Sequence, residues 1–223
     1  DTSDNGRQPM FSSCGRFVIC YNGEIYNHLD LRQKLDSTTS YPWKGTSDTE
    51  TLLALFENYS VSQVLNKLDG MFSFILFDDR KKELIIARDF SGEKPLYIST
   101  SNNFLGLGSD LNPLKGLPGF INSIDKNSVE EYMKKNYIPN PRSIFKSSFK
   151  LPPGSLIRFN LGSFNIKPYA CFEELIESAG CSFSYWWKLS DSQELGNELY
   201  EDENSAINHL EKLLLNSVNK RLI

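Results

Sequence analysis

The sequence predicts an α+β fold of antiparallel sheets covered by helices, and three features carry that expectation. Residues 71–77 (Met-Phe-Ser-Phe-Ile-Leu-Phe) are apolar at every position but Ser73, as in a strand buried on both faces. Further strand-like runs follow closely at 83–88, 95–100 and 104–107, with polar turns between them, which is the pattern of an antiparallel meander. Helical periodicity is grouped into blocks between the strand runs, as α+β domains require.

The elements follow in order. Residues 16–21 (Arg-Phe-Val-Ile-Cys-Tyr) are β-branched and aromatic, and the Asn22-Gly23 turn pair closes them. Asn27 is placed to cap a short helix over 28–35, with Leu31 and Leu35 on one face. Ser47 and Glu50 have capping-box spacing and open a stronger helix, whose stripe is Leu52, Leu53, Phe56 and Tyr59. Val64, Leu65 and Leu68 predict another short helix, stopped by Asp69-Gly70. Beyond the meander, 128–135 reads as an amphipathic helix. Two rigid proline turns follow, Ile138-Pro139-Asn140-Pro141 and Leu151-Pro152-Pro153-Gly154, and then a strand over 155–160. Residues 168–203 read as a linker, with six acidic and no basic side chains between 191 and 203. Ala206, Ile207, Leu210, Leu214 and Val218 then mark one helix face, running to Ile223 without a stop signal.

Composition narrows the function classes. The 223 residues are 39% hydrophobic and 13% aromatic, enough for a sizeable core and for one full domain plus part of another. With 24 basic against 28 acidic side chains and no cationic cluster, no nucleic-acid partner is expected. No run approaches the ~18 apolar residues of a membrane span. The polar first ten residues hold no signal peptide. Cys14, Cys20, Cys171 and Cys181 form no C-x-x-C pair, so no metal site is expected, and their low density suits a reducing cytoplasm. Both ends of the chain read as cut.

Four segments can carry chemistry, each with a plain structural reading beside it. Tyr21-Asn22-Gly23-Glu24-Ile25-Tyr26-Asn27 is either a strand ending in a turn or an oxyanion hole. In the second case the Asn22 amide and the Gly23 N–H are its donors, and Glu24 is a carboxylate awaiting an ammonium group. In Gly45-Thr46-Ser47-Asp48, Asp48 either favours the helix dipole or supplies a second carboxylate for the same ammonium. Residues 88–97, Arg-Asp-Phe-Ser-Gly-Glu-Lys-Pro-Leu-Tyr, read as a structural turn with an Arg–Asp pair. Lys150-Leu151-Pro152-Pro153-Gly154 reads as a rigid turn. His28 and His209 read as surface helix residues, and no hydrolase, zincin or dinucleotide motif is present.

Taken in order, these segments resemble the glutaminase domain of glutamine-hydrolysing asparagine synthetases. Arg7-Gln8-Pro9-Met10, Leu68-Asp69-Gly70-Met71-Phe72 and Ile138-Pro139 add to the resemblance, which covers roughly residues 7–160. It implies a class II amidotransferase domain with the N-terminal-nucleophile hydrolase fold, an αββα sandwich of two antiparallel sheets. It implies an oxyanion held by Asn22 and Gly23, a substrate ammonium held by Glu24 and Asp48, and an N-terminal cysteine whose free amine is the base. The expected substrate is L-glutamine. The ammonia released would pass to a C-terminal synthetase domain of the parent chain, where ATP and Mg activate aspartate or another carboxylate, with a homodimer as one assembly. On this reading 1–167 is the glutaminase domain without its first strand and nucleophile, 168–203 the linker, and 204–223 the start of the synthetase domain. No cofactor is expected within these residues, and they should not hydrolyse glutamine alone, because Cys14 and Cys20 bear no free amine. Two alternatives stand beside it: a structural domain of a β-lactam-synthetase-like enzyme, and a glutamine-binding module.

Overall fold

The computed structural model describes residues 3–193 and 202–222. The chain divides into a unit ending at Trp186 and a second unit beginning at Trp187. The first unit runs β1 (Met10–Phe11), β2 (Phe17–Ile25), α1 (His28–Asp36), α2 (Asp48–Asn58), α3 (Val61–Leu65), β3 (Gly70–Asp78) and β4 (Glu83–Arg88). It continues with β5 (Tyr97–Thr100), β6 (Leu105–Gly108), α4 (Leu111–Lys115), α5 (Lys126–Lys135), β7 (Ser148–Lys150), β8 (Ser155–Asn160), α6 (Phe172–Ile176) and β9 (Cys181–Tyr185). Six strands form one antiparallel sheet in the order β1-β2-β3-β4-β8-β9, and three form another in the order β6-β5-β7.

The alternation of side chains along β3 and β4 builds two cores. Phe72, Phe74, Leu76 and Ile85 face α1–α3 and pack with Leu52, Leu53 and Phe56. On the opposite face Ile75 and Ile86 join Leu96, Ile98, Ile157 and Phe159, where the large sheet meets the small one. β3 lies between β2 and β4 and is apolar on both faces because both are covered. Each large side chain so buried contributes about 1.5–3 kcal/mol. The αββα architecture expected from the resemblance is the one observed.

Local chemistry sets the helix starts. The Ser47 Oγ accepts the Glu50 N–H at 3.2 Å, but the Glu50 carboxylate accepts from the Lys44 and Gly45 N–H groups instead of closing a capping box. The reciprocal box occurs one helix later, between Ser60 and Gln63 at the start of α3. Asn27 precedes α1 without capping it through its side chain; its amide links the Lys67 carbonyl and the Asp69 N–H.

The expected linker is corrected over its first half. Residues 181–185 (Cys-Ser-Phe-Ser-Tyr) alternate with period two and pair with β8 as the sheet's last strand. Phe172 and Leu175 of α6 are buried in the second core, with Phe183 against it. Trp186 ends the unit, its backbone N–H donating to the Gly154 carbonyl and its indole stacked on Phe72 with centroids 6.0 Å apart. Most of the acidic run, residues 194–201, lies outside the described residues.

The second unit holds α7 (Leu189–Gln193) and α8 (Glu203–Asn219). Asp202 caps α8 by accepting the Ser205 N–H at 2.9 Å. The helix ends at Asn219, short of the expected Ile223, and Ile207, Leu210, Leu214 and Val218 of its predicted apolar face are each more than half exposed. Among the described residues no helix is long and apolar enough to cross a membrane.

Candidate active site

The site grows from the end of β2. Asn22, Gly23 and Glu24 stand opposite Ser73, Phe72 and Met71 of β3. Gly23 is required there: a Cβ at this position would lie 2.2 Å from the Met71 carbonyl oxygen and 2.7 Å from the Phe72 Cα. The close approach that glycine permits is thus to β3's backbone. Asn22 and Glu24 fall on one face of the strand by parity. The Asn22 Nδ2 donates to the Ser109 Oγ at 3.0 Å, just after β6, so this amide bridges the two sheets. It borders a cavity of about 240 Å³ that Cys20, Ser73, Leu107 and Ser109 also line.

Asp48 reaches the same strand end from the first residue of α2. Its Oδ2 accepts from the Tyr21 hydroxyl at 2.8 Å and from the Ile25 N–H at 3.0 Å. Burial pushes the Glu24 carboxyl above its ordinary range, and the charge of Asp48 pushes it further; His28 and Lys94 pull the other way. Two carboxylates whose charges act on one another, with a carboxamide two residues before Glu24 on the same strand face, suit an ammonium group and a polarised carbonyl of one ligand. The structure places Asn22, Gly23 and Glu24 at the end of β2, and Asp48 reaches the backbone of that strand end at Ile25; the cavity beside Asn22 is lined by neither carboxylate.

The other two flagged segments form a scaffold behind the site. Asp89 is fully buried and accepts from the N–H groups of Phe72, Ser91, Gly92, Glu93 and Lys94. Arg88 donates to the carbonyls of Lys94, Leu151 and Gly92. The expected Arg–Asp pair is replaced by two residues that each tie backbone. Gly92 adopts φ +74°, where a Cβ would also meet the Pro153 ring at 2.7 Å, so the 88–97 and 150–154 turns are packed as one body.

Sequence reading missed three neighbours of the site. Tyr21 was visible only as part of its motif, and Ser109 carried no signal in Gly108-Ser109-Asp110. His28 is corrected from a surface residue: it is half-buried, its Nδ1 is sealed from solvent without a hydrogen-bond partner among the described residues, and it lies near enough to Glu24 to act on that carboxyl. Its position four residues after Glu24 was the available clue.

The chain is similar to several known proteins. Asparagine synthetase [glutamine-hydrolyzing] 1 of Bacillus subtilis is 34% identical over 165 residues, covering 74% of this chain and 24% of the relative. Asparagine synthetase [glutamine-hydrolyzing] 1 of Arabidopsis thaliana is 36% identical over 122 residues, covering 51% of this chain and 20% of the relative. A Methanocaldococcus jannaschii relative aligns with 100% of the chain at 29% identity, and the chain covers 41% of it. The chain thus spans less than half the length of these curated relatives. Among solved structures, the glutamine phosphoribosylpyrophosphate amidotransferase of Bacillus subtilis shares the fold, with a TM-score of 0.56 at 18% identity over 84% of this chain and 33% of that one. Residues 1–170 match the family described as a glutamine amidotransferase domain, and the chain belongs to that family.

Proposed function

We propose that this domain is the glutaminase of an asparagine-synthetase-type amidotransferase, binding L-glutamine where β2 ends. The observation that supports the reading is that Asn22 and Glu24 share one face at the end of β2, where Asp48 accepts the Ile25 N–H and its charge acts on Glu24. The carboxylates suit the substrate's ammonium group. The Asn22 Nδ2 and the Gly23 N–H suit the oxygen of its carboxamide as it becomes an oxyanion. In the parent enzyme glutamine would be hydrolysed to glutamate and ammonia, and the ammonia would serve the ATP-dependent amidation of aspartate or another carboxylate. ATP and Mg²⁺ belong, on this reading, to the synthetase domain; among the described residues no cluster of three or more His, Cys, Asp or Glu could hold a metal ion. L-glutamine and that synthetase domain are the proposed partners, with a homodimer as the assembly to be checked by sedimentation.

The nucleophile called for is a cysteine with a free amine as its base. Cys14 lies in an exposed turn beside Ser12, and Cys20 sits mid-strand with its thiol pushed up by burial. Each carries a peptide nitrogen instead of an amine, so the 223 residues alone are expected to release no ammonia from glutamine.

Kinetics of the parent enzyme test the roles. Asn22→Ala removes a donor aimed at transition-state charge, so kcat is expected to fall roughly 10² to 10³-fold with KM little changed. Glu24→Gln weakens a contact present throughout the reaction, so KM should rise while kcat holds. Ammonia-dependent synthesis should survive both. An Asn22→Ala enzyme with only a raised KM would place the oxyanion hole elsewhere. A parent that neither binds nor hydrolyses glutamine would favour the β-lactam-synthetase-like alternative.

A further inference from the structure

We infer that Tyr21 is a positioning residue: its hydroxyl fixes the Asp48 carboxylate beside Glu24, so that the pair forms one cage for the substrate's ammonium group. The inference rests on the glutamine reading above and assigns to that site a residue outside the four already placed there.

The geometry is asymmetric about Asp48. Both strong donors, the Tyr21 hydroxyl at 2.8 Å and the Ile25 N–H at 3.0 Å, converge on one oxygen, Oδ2. Among the described residues the other oxygen, Oδ1, meets only the Thr49 hydroxyl at a long 3.4 Å. One oxygen is anchored and the other is left with acceptor capacity. The Cα of Asp48 is already fixed, because Ser47 caps α2 through the Glu50 N–H. What the cap leaves free is rotation of the side chain, and Glu24 supplies a reason for it to rotate away, since like charges repel.

The phenol suits this task. Its ring packs partly against the first core, which holds the hydroxyl at a fixed height over the strand. Burial raises its ionisation well above the ordinary tyrosine range, and the charges of Asp48 and Glu24 raise it further, which favours the protonated hydroxyl that donates to Asp48. A hydrogen bond to a charged acceptor is among the stronger ones a side chain makes. The tyrosine contributes here to affinity at the ammonium end of the substrate, with no part in the chemistry at the amide end.

The test uses the 223-residue chain and two ligands, L-glutamine and glutaramate, which lacks the α-ammonium. Calorimetric titration is expected to show that the wild type prefers L-glutamine. Tyr21→Phe should weaken L-glutamine roughly fivefold to tenfold and leave glutaramate unchanged. In an Asp48→Asn background the same substitution should have no further effect, because the group it positions is no longer charged. Equal weakening of both ligands, unchanged L-glutamine affinity, or additive losses in the double variant would overturn the inference while leaving the glutamine site standing. A wild type that does not prefer L-glutamine would bring down the site reading and this inference with it.

A measurement free of ligand guards against a Tyr21→Phe variant that fails to fold. At neutral pH the Tyr21 ¹³Cζ resonance should shift between the wild type and Asp48→Asn, because the acceptor of its hydroxyl loses its charge. An identical resonance in the two would show that the contact is absent in solution and would overturn the inference.

Discussion

Asp48 and Asp89 are both aspartates in segments that the sequence singles out, and the structure treats them in opposite ways. Asp89 is fully buried and receives five backbone N–H groups and the Ser91 hydroxyl, which fills a carboxylate's acceptor capacity. Asp48 is half-buried, receives two strong donors on one oxygen, and stands in the field of a second carboxylate. A carboxylate whose lone pairs are used up by its own chain is scaffold. One with capacity left over, kept beside a like charge, is held ready for something else. The difference between the two lies in accounting for acceptors, which no motif displays.

The largest effect should come from the saturated residue. Asp89→Ala leaves several buried N–H groups unpaired and is expected to cost about 4 kcal/mol in urea unfolding. A cost under about 1 kcal/mol would break the comparison at its scaffold end. Next is Arg88→Met, which strips donors from three carbonyls and should cost about 2–3 kcal/mol in the same assay.

Asp48→Asn should be nearly neutral to folding, within about 1 kcal/mol, because an amide oxygen still accepts from Tyr21 and Ile25. Its L-glutamine affinity, read by calorimetry, should nevertheless fall roughly tenfold or more. A large loss of stability would make Asp48 a second Asp89.

The smallest effect is a gain. Glu24 has its carboxyl raised by burial and by Asp48, so the folded chain binds its proton more tightly than the unfolded chain does. Stability from this group is therefore greatest below the unfolded carboxylate range and declines as pH rises through the folded value. At neutral pH Glu24→Gln relieves the repulsion and should stabilise the ligand-free chain by about 0.5 kcal/mol, the scale of a solvent-screened contact. The advantage should shrink as pH is lowered into the carboxylate range. An equal gain at pH 4 and pH 8 would mean that charge is not its source.

Much of this fold was legible because local signals and burial agree. The apolar run 71–77 had to be a covered strand, and the Ser47 cap had to start a helix. The chemistry proposed for residues 22–24 and 48 was one of two open readings until the resemblance favoured it, since nothing in a strand-turn motif says which way an amide points. The 168–186 segment was misread because its composition is that of a connector, while its period-two alternation over 181–185 is that of a strand. Ser109 could not be read at all, and Asp89 was legible as part of a structural turn but not as the acceptor of five backbone N–H groups. Their roles depend on which backbone groups the fold leaves without partners, and that is settled only when distant segments meet.

Trp186 has a mechanical consequence. Chain leaving the domain is moored at this residue: the indole N–H donates to the Arg88 carbonyl at 3.0 Å, and the ring lies against Phe72. Phe72 is the residue whose backbone stands opposite Gly23. Tension along the polypeptide beyond residue 187 is therefore delivered one side chain away from the strand end that carries Asn22 and Glu24. A splice or a nick placed after Trp186 spares this mooring, whereas one placed at residue 168 casts it off together with the outermost strand.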